Sequence, residues 1–193
     1  MRVGIDFDNT IVCYDEVFYL AALEQNLIPK NVHKSKGKVR DYLRSIGKED
    51  EWIELQGYVY GKRLDLAHSF EGVEKFFENA KKTKIEITII SHKTLYPFMG
   101  EKYNLHKSAK NWLNNQSFYN SSIPTFFELT LQKKLNRIAI EKCDYFIDDL
   151  PELLDEKNFP KNTKKILFDP NNLLENSAKF LRQTSWKDLL NFF

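Results

Sequence analysis

The chain has 193 residues, the size of one ordinary domain or of a core domain carrying an inserted subdomain. Its 42% hydrophobic and 14% aromatic content supplies a packed core and excludes a disordered or collagen-like chain, while 29 Lys and Arg against 27 Asp and Glu leave a formal charge of +2, too near balance to indicate a nucleic-acid protein by charge alone. The two cysteines, Cys13 and Cys143, have no CxxC spacing, so neither a disulfide framework nor a zinc knuckle is expected and a reducing compartment fits.

Acidic residues arrive at Asp6 and Asp8 before any apolar run long enough for a signal-peptide core, and no stretch approaches the roughly 20 apolar residues of a membrane span. The expectation is a cytoplasmic protein with no membrane partner. Residues 2–7 are β-favouring and mostly apolar, which suits a central strand buried on both faces. Residues 14–70 are too long for one strand-to-helix connection and carry helical patches at 16–27 and 51–60. They are read as a small helical cap inserted after the first strand, leaving 1–13 and 71–193 as the core. Within the cap, the basic stretch at 30–44 is read first as a solvated face and second as a means of steering an anionic substrate.

Residues 72–80 put Val73, Phe76, Phe77 and Ala80 on one helical face, with Lys81 and Lys82 suiting the C-terminal end. A second strand follows at 85–90. Leu105, Ala109, Trp112 and Leu113 repeat the helical spacing, and 124–127 is a short strand. Leu131, Leu135, Ile138 and Ala139 mark a further helix, which leads into a strand at 145–147 and a helix begun by Pro151. Residues 165–168 make a fifth strand, and Trp186, Leu189, Leu190 and Phe193 close the chain as an amphipathic helix. Alternating strands and helices predict an α/β fold: a Rossmann-like parallel sheet with helices on both faces and sites at the C-terminal strand edge.

Asp6 and Asp8 flank Phe7 at the end of the first strand, so both carboxylates leave from one side of the pleat. Asp148 and Asp149 hold the matching place after residues 145–147, and parallel pairing would bring the four acids to one edge. Such a cluster repels itself unless something positive sits within it. Mg²⁺, which takes a few carboxylates, waters and a substrate phosphate, is the natural neutraliser.

Asp6-Phe7-Asp8-Asn9-Thr10 after an apolar strand, Ser91 after Ile-Thr-Ile-Ile, a lysine-bearing helix, and Asp148-Asp149 after Tyr-Phe-Ile resemble, in order, the four motifs of the haloacid dehalogenase (HAD) superfamily, phosphatase branch. The resemblance implies that Asp6 is the nucleophile, forming an aspartyl phosphate that water hydrolyses, and that Asp8 protonates the leaving alcohol and then activates the water. It implies that Thr10 holds the loop, that Ser91 bonds a phosphoryl oxygen, and that Lys134, with Lys133 as the neighbouring candidate, neutralises charge. The implied metal residues are Asp6, Asp8 through its carbonyl, Asp148 and Asp149, and the implied activity is hydrolysis of a small phosphorylated metabolite. A sugar or polysaccharide-precursor phosphate is the first substrate considered. The alternatives are a nucleotidase or polynucleotide phosphatase, a phosphomutase, and a non-catalytic phosphate-binding module; nucleic acid is otherwise not expected as a partner. An acid at position 8 favours phosphatase chemistry over dehalogenation.

His92 and Lys93 follow Ser91 at the strand edge and are candidates to face substrate, as are Gln56, Tyr58 and Arg63 should the cap reach the leaving group. Trp52, Tyr58 and Tyr60 are expected to build the cap's own core. Two other patterns fail. Residues 6–17 open like a calcium loop but place Ile11 and Val17 where Gly and Glu are needed. Residues 57–62 have the wrong spacing for a phosphate loop and continue with Arg63. His33, His68 and His106 lack metal-ligand spacing.

Overall fold

A computed structural model describes residues 1–175 and 177–193. In chain order the elements are β1 (Arg2–Ile5), β2 (Val12–Cys13), α1 (Asp15–Glu24), α2 (Lys36–Ser45), α3 (Glu49–Gly61), a 3₁₀ turn (Leu64–Leu66), β3 (His68–Ser69), α4 (Val73–Thr83), β4 (Glu86–His92), α5 (Leu105–Asn114), β5 (Thr125–Glu128), α6 (Leu131–Ile140), β6 (Tyr145–Asp148), α7 (Pro151–Leu154), β7 (Lys164–Phe168), β8 (Leu181–Gln183) and α8 (Trp186–Phe192). None of these helices is long and apolar enough to cross a membrane.

The chain divides into two compact units. The first, formed by Met1–Val12, Ser69–Lys93 and Gln116–Phe193, holds a six-stranded parallel sheet in the order β5-β4-β1-β6-β7-β8 with helices on both faces. This is the α/β architecture expected from the alternating pattern. Five of the strands match the sequence reading within about two residues. The sixth, β8, adds an edge strand that the sequence reading lacks. β1 is central: Ile5 pairs with Ile89 on one side and Ile147 on the other. Val3 and Ile5 are fully buried, as the apolar run at 2–7 requires. Gly4 sits opposite Phe146, and a Cβ there would meet that ring at 2.5 Å and the Cys143 sulfur at 2.8 Å, so only glycine lets β1 lie flat on this part of the core. Ile90, Leu135, Ile138, Phe146, Leu153, Leu154 and Leu167 join in one buried cluster that binds α6 and α7 to the sheet. Phe76 of α4 stacks edge-on against Trp186 of α8 at 5.0 Å, closing another part of the same unit.

The second unit, Cys13–His68 with Thr94–Asn115, is helical. It therefore contains α5, which the sequence reading left within 71–193. The α5 segment is held to the rest of this unit by small residues and hydrogen bonds. Gly57 and Gly61, four apart on α3, lie against Pro97 and Tyr103. The Ser108 hydroxyl donates to the Gly61 carbonyl at 2.8 Å, and the Trp112 indole donates to Ala67 at 2.9 Å. Val39 and Leu43 turn one face of α2 into this unit's core, and Lys36 lays its ammonium over the Tyr14, Phe18 and Tyr60 rings at 6.0, 5.6 and 5.7 Å, while Lys38 and Arg44 are exposed. Trp52 packs on Phe18 at 5.1 Å, and Tyr60 meets Phe18 and Tyr14 edge-on, so these two build core as expected, while Tyr58 is half-buried.

Candidate active site

Because every strand of the sheet is parallel, the ends of β1, β4 and β6 share one edge. The Asp6 amide donates to the Ile147 carbonyl at 2.9 Å, which carries the β1–β6 ladder one residue further and sets Asp6 beside Asp148. A turn then begins. Asn9 has a φ of +55°, a left-handed conformation that asparagine tolerates better than most side chains, and the amides of Ile11 and Val12 both donate back to the Phe7 carbonyl. The turn fixes where Asp8 and Thr10 stand.

Asp6, 4% exposed, faces the ammonium of Lys134 at 2.5 Å; the same ammonium reaches Asp148 Oδ2 at 2.6 Å. Lys134 comes from the first turn of α6, whose N-terminus is capped by the Thr130 hydroxyl accepting from the Lys133 amide. Lys134 is buried and reaches both acids, whereas Lys133 is exposed. The other oxygen of Asp148 accepts from the Leu150 amide at 2.9 Å, so that side chain is held at both ends. Burial alone would lower the Lys134 pKa, but the Asp148 and Asp6 carboxylates outweigh it and hold the ammonium above its ordinary 10.5.

Asp6, Asp148 and Asp149 each offer an oxygen within 4.8 Å of the others. Burial pushes the Asp6 carboxyl up to about 7 against the pull of Lys134, with Asp148 and Asp8 adding to the rise. An all-oxygen donor set of clustered carboxylates fits a hard divalent cation, and Asp6, Asp148 and Asp149 are the side chains that could hold one.

The Asp8 side chain stands outside that group. Lys93 meets both of its oxygens, at 2.9 Å to Oδ1 and 2.8 Å to Oδ2. Thr10 is fully buried; its hydroxyl lies 3.5 Å from Asp149, the outer limit of a hydrogen bond, and its carbonyl accepts from the Trp186 indole at 3.0 Å. Ser91 is buried inside the end of β4, paired with Phe127 of β5, and the next residue, His92, is exposed. Gln56 and Arg63 belong to the second unit, where Arg63 pairs with Glu24 at 2.5 Å. The structure thus brings Asp6, Lys134, Asp148, Asp149 and Thr10 together, sets Asp8 with Lys93 beside them, and gives Arg63 a partner of its own. Two features escaped the sequence reading: the conformation of Asn9 and the engagement of Lys93 with Asp8. A short polar residue following two acids in a strand-end turn was the available signal for the first. The second rests on contact between β4 and the β1 turn, 85 residues apart in the chain.

No family model matches the chain. Over 98% of its length it is 22% identical to an inferred nucleotidase of Oceanobacillus iheyensis, covering 97% of that protein. Among solved structures it is similar to a predicted phosphatase from Clostridium acetobutylicum, with 15% identity, 99% of this chain and 96% of that one covered, and a TM-score of 0.59. It is also similar to a HAD-superfamily hydrolase from Ehrlichia chaffeensis, with 15% identity, coverages of 99% and 94%, and a TM-score of 0.55. A Bacillus subtilis protein, YfnB, classed as a HAD-hydrolase and bound to magnesium, gives 10% identity, coverages of 99% and 97%, and a TM-score of 0.56. At these identities the fold is what is shared. The chain has the Rossmann-like α/β fold of HAD-superfamily hydrolases, as the order of the four motifs implied.

Proposed function

We propose that the protein is a HAD-type phosphoric monoester hydrolase that uses Mg²⁺ and an aspartyl-phosphate intermediate. The observation that carries this reading is the ammonium of Lys134 between Asp6 and Asp148, at 2.5 and 2.6 Å, on the strand edge where Asp149 completes an acid cluster and Asp8 stands two residues beyond Asp6. Positioning and charge neutralisation account for most of phosphoryl transfer, and these side chains supply both.

Asp6 attacks the phosphorus of the ester, and the bond to the leaving oxygen breaks as Asp8 delivers a proton to that oxygen. Water then adds to phosphorus, gives its proton to Asp8 and releases Asp6 with inorganic phosphate. Lys134 keeps the Asp6 carboxylate in place before attack and offsets charge as the phosphoryl group arrives. Ser91 supplies a hydroxyl from the end of β4, and Thr10 holds the turn against Asp149. Asp6, Asp148 and Asp149, with the carbonyl of Asp8, would hold Mg²⁺, which supplies Lewis-acid stabilisation of the phosphoryl oxygens. Gln56, Arg63 and His92 remain candidates for contact with the leaving group.

The substrate reading is a small phosphate monoester, with a sugar or polysaccharide-precursor phosphate first. A nucleoside monophosphate is the second reading, favoured by the full-length match to the inferred nucleotidase. Compartment follows the sequence expectation of a cytoplasmic protein. The test is a phosphate-release screen over sugar phosphates, nucleotides, amino-alcohol phosphates and 3′-phosphorylated oligonucleotides, with and without Mg²⁺. Release that needs Mg²⁺ and disappears after exhaustive chelation supports the reading. Absence of release from every ester, or release indifferent to chelation, overturns it in whole or in its metal requirement.

A further inference from the structure

Lys93 lies one residue beyond β4, and its side chain is 4% exposed. Nothing in the four-motif resemblance gives it a role, and from sequence it was a candidate to touch substrate. Its head group instead straddles the Asp8 carboxylate, 2.9 Å from Oδ1 and 2.8 Å from Oδ2. Two further contacts hold the lysine still. Its backbone amide donates to the Glu128 carbonyl at 2.9 Å, which continues the β4–β5 ladder past His92 and pins the lysine's Cα. Its ammonium lies 5.5 Å from the ring centre of Phe7, close enough for the face of that ring to favour the charge. Phe7 is itself fully buried and braced edge-on by Phe127 of β5 at 5.7 Å. The other end of Asp8 is fixed by the turn through Asn9. Turn and lysine together hold the carboxylate from backbone and from head group.

We propose that Lys93 is a positioning residue for Asp8, setting the orientation of the carboxyl that exchanges protons with the leaving oxygen and the attacking water. The proposal rests on the phosphatase reading above. The geometry divides two buried ammoniums between the two acids of the first motif: Lys134 serves Asp6, and Lys93 serves Asp8. A lysine whose head group is occupied by the acid acts on the rate of proton transfer, whereas a lysine presented to substrate acts on binding. The two roles separate in kinetics.

The experiment compares wild type, Lys93→Met, Asp8→Asn and the double variant on an alkyl phosphate identified in the screen and on p-nitrophenyl phosphate, whose leaving group scarcely needs a proton. Lys93→Met keeps the stem and removes the charge. The expected result is a kcat for the alkyl ester lower by about 10- to 100-fold, KM within about twofold, and a clearly smaller loss on p-nitrophenyl phosphate. Adding Lys93→Met to Asp8→Asn should cost less than about twofold more, because the acid it positions is already gone. A raised KM with kcat retained, multiplying losses in the double variant, or wild-type kinetics would overturn the proposal. Should Lys93→Met not fold, Lys93→Arg decides: it keeps the charge but displaces the carboxyl, so dependence on leaving-group basicity steepens at constant KM if Lys93 positions Asp8, and stays unchanged at raised KM if it binds substrate. Active wild type with a crippled Asp8→Asn and an unaffected Lys93→Met removes this proposal alone. Wild type that releases no phosphate removes it together with the phosphatase reading.

Discussion

Asp6 and Asp8 are the same residue type, two positions apart at one strand end, and their surroundings have little in common. Asp6 is 4% exposed and shares the Lys134 ammonium with the buried carboxylate of Asp148, whereas the Asp8 side chain keeps 20% of its surface and faces Lys93. The cause is topological. β1 lies between β6, which ends in a carboxylate, and β4, which is followed by a lysine, so neighbouring positions in one motif meet different flanks of the same sheet. Dividing two acids by environment is how one fold assigns a nucleophile and a proton carrier from a single side-chain chemistry.

The sharpest way to break this comparison is to neutralise each acid in turn. Asp6→Asn should reduce phosphate release from every ester to background, measured with Mg²⁺ at saturating substrate; residual turnover above a few per cent of wild type would assign the nucleophile elsewhere. Lys134→Met leaves two buried carboxylates facing each other, and in chelator it should lower the unfolding free energy by about 3–5 kcal/mol in a urea titration. Part of that loss should return when Mg²⁺ is added, and an unchanged midpoint would mean that the lysine does not offset the pair. Asp8→Asn should cost about 100-fold on an alkyl phosphate and under about tenfold on p-nitrophenyl phosphate, with equal losses erasing the distinction between the two acids.

The last expected effect is read in stability rather than in turnover, as a dependence on pH. In metal-free protein the Asp6 carboxyl binds its proton more tightly when folded, near a pKa of about 7, than when unfolded, near 3.8. Its contribution to stability is therefore complete below the unfolded value and is lost as pH rises through the folded one. The difference in unfolding free energy between wild type and Asp6→Asn, followed in chelator from about pH 4 to about pH 8, should move against wild type as pH rises. Added Mg²⁺ should flatten that trend, since the cation favours the ionised acid. A difference that stays level without metal would place Asp6 in a more solvated setting.

How much of this was legible in the sequence follows from which signals are local. β1, β4, β6 and β7 are apolar runs buried on both faces, and their composition marks them. The acids after β1 and β6 were legible because acids at the end of such a run need a charged partner. Motif order singled out Lys134 with Lys133 beside it, and the two differ in depth of burial, which no local pattern carries. β8 was not legible: Leu-Arg-Gln at a sheet edge has neither alternation nor an apolar run, and its pairing with β7 decides it. The basic stretch around α2 hid a helix whose signal was Val39 and Leu43 four apart. The helix α5 was visible by its periodicity, yet periodicity says that a face is buried and never against what, so its place beside α3 had to wait for coordinates. Lys93 illustrates the same limit on a single residue.

The central position of β1 reaches into how the molecule breathes. β1 exchanges backbone hydrogen bonds with a strand on either side, whereas β5 and β8 each have one neighbour and an open flank. Transient opening proceeds from weakly tied segments toward doubly tied ones, so amide hydrogens at the rims of the sheet should trade with solvent deuterium first and those of Val3 and Ile5 last. Asp6 is thus anchored to the segment that surrenders its order at the greatest free-energy cost, and fluctuations that loosen the sheet margins leave its scaffold intact.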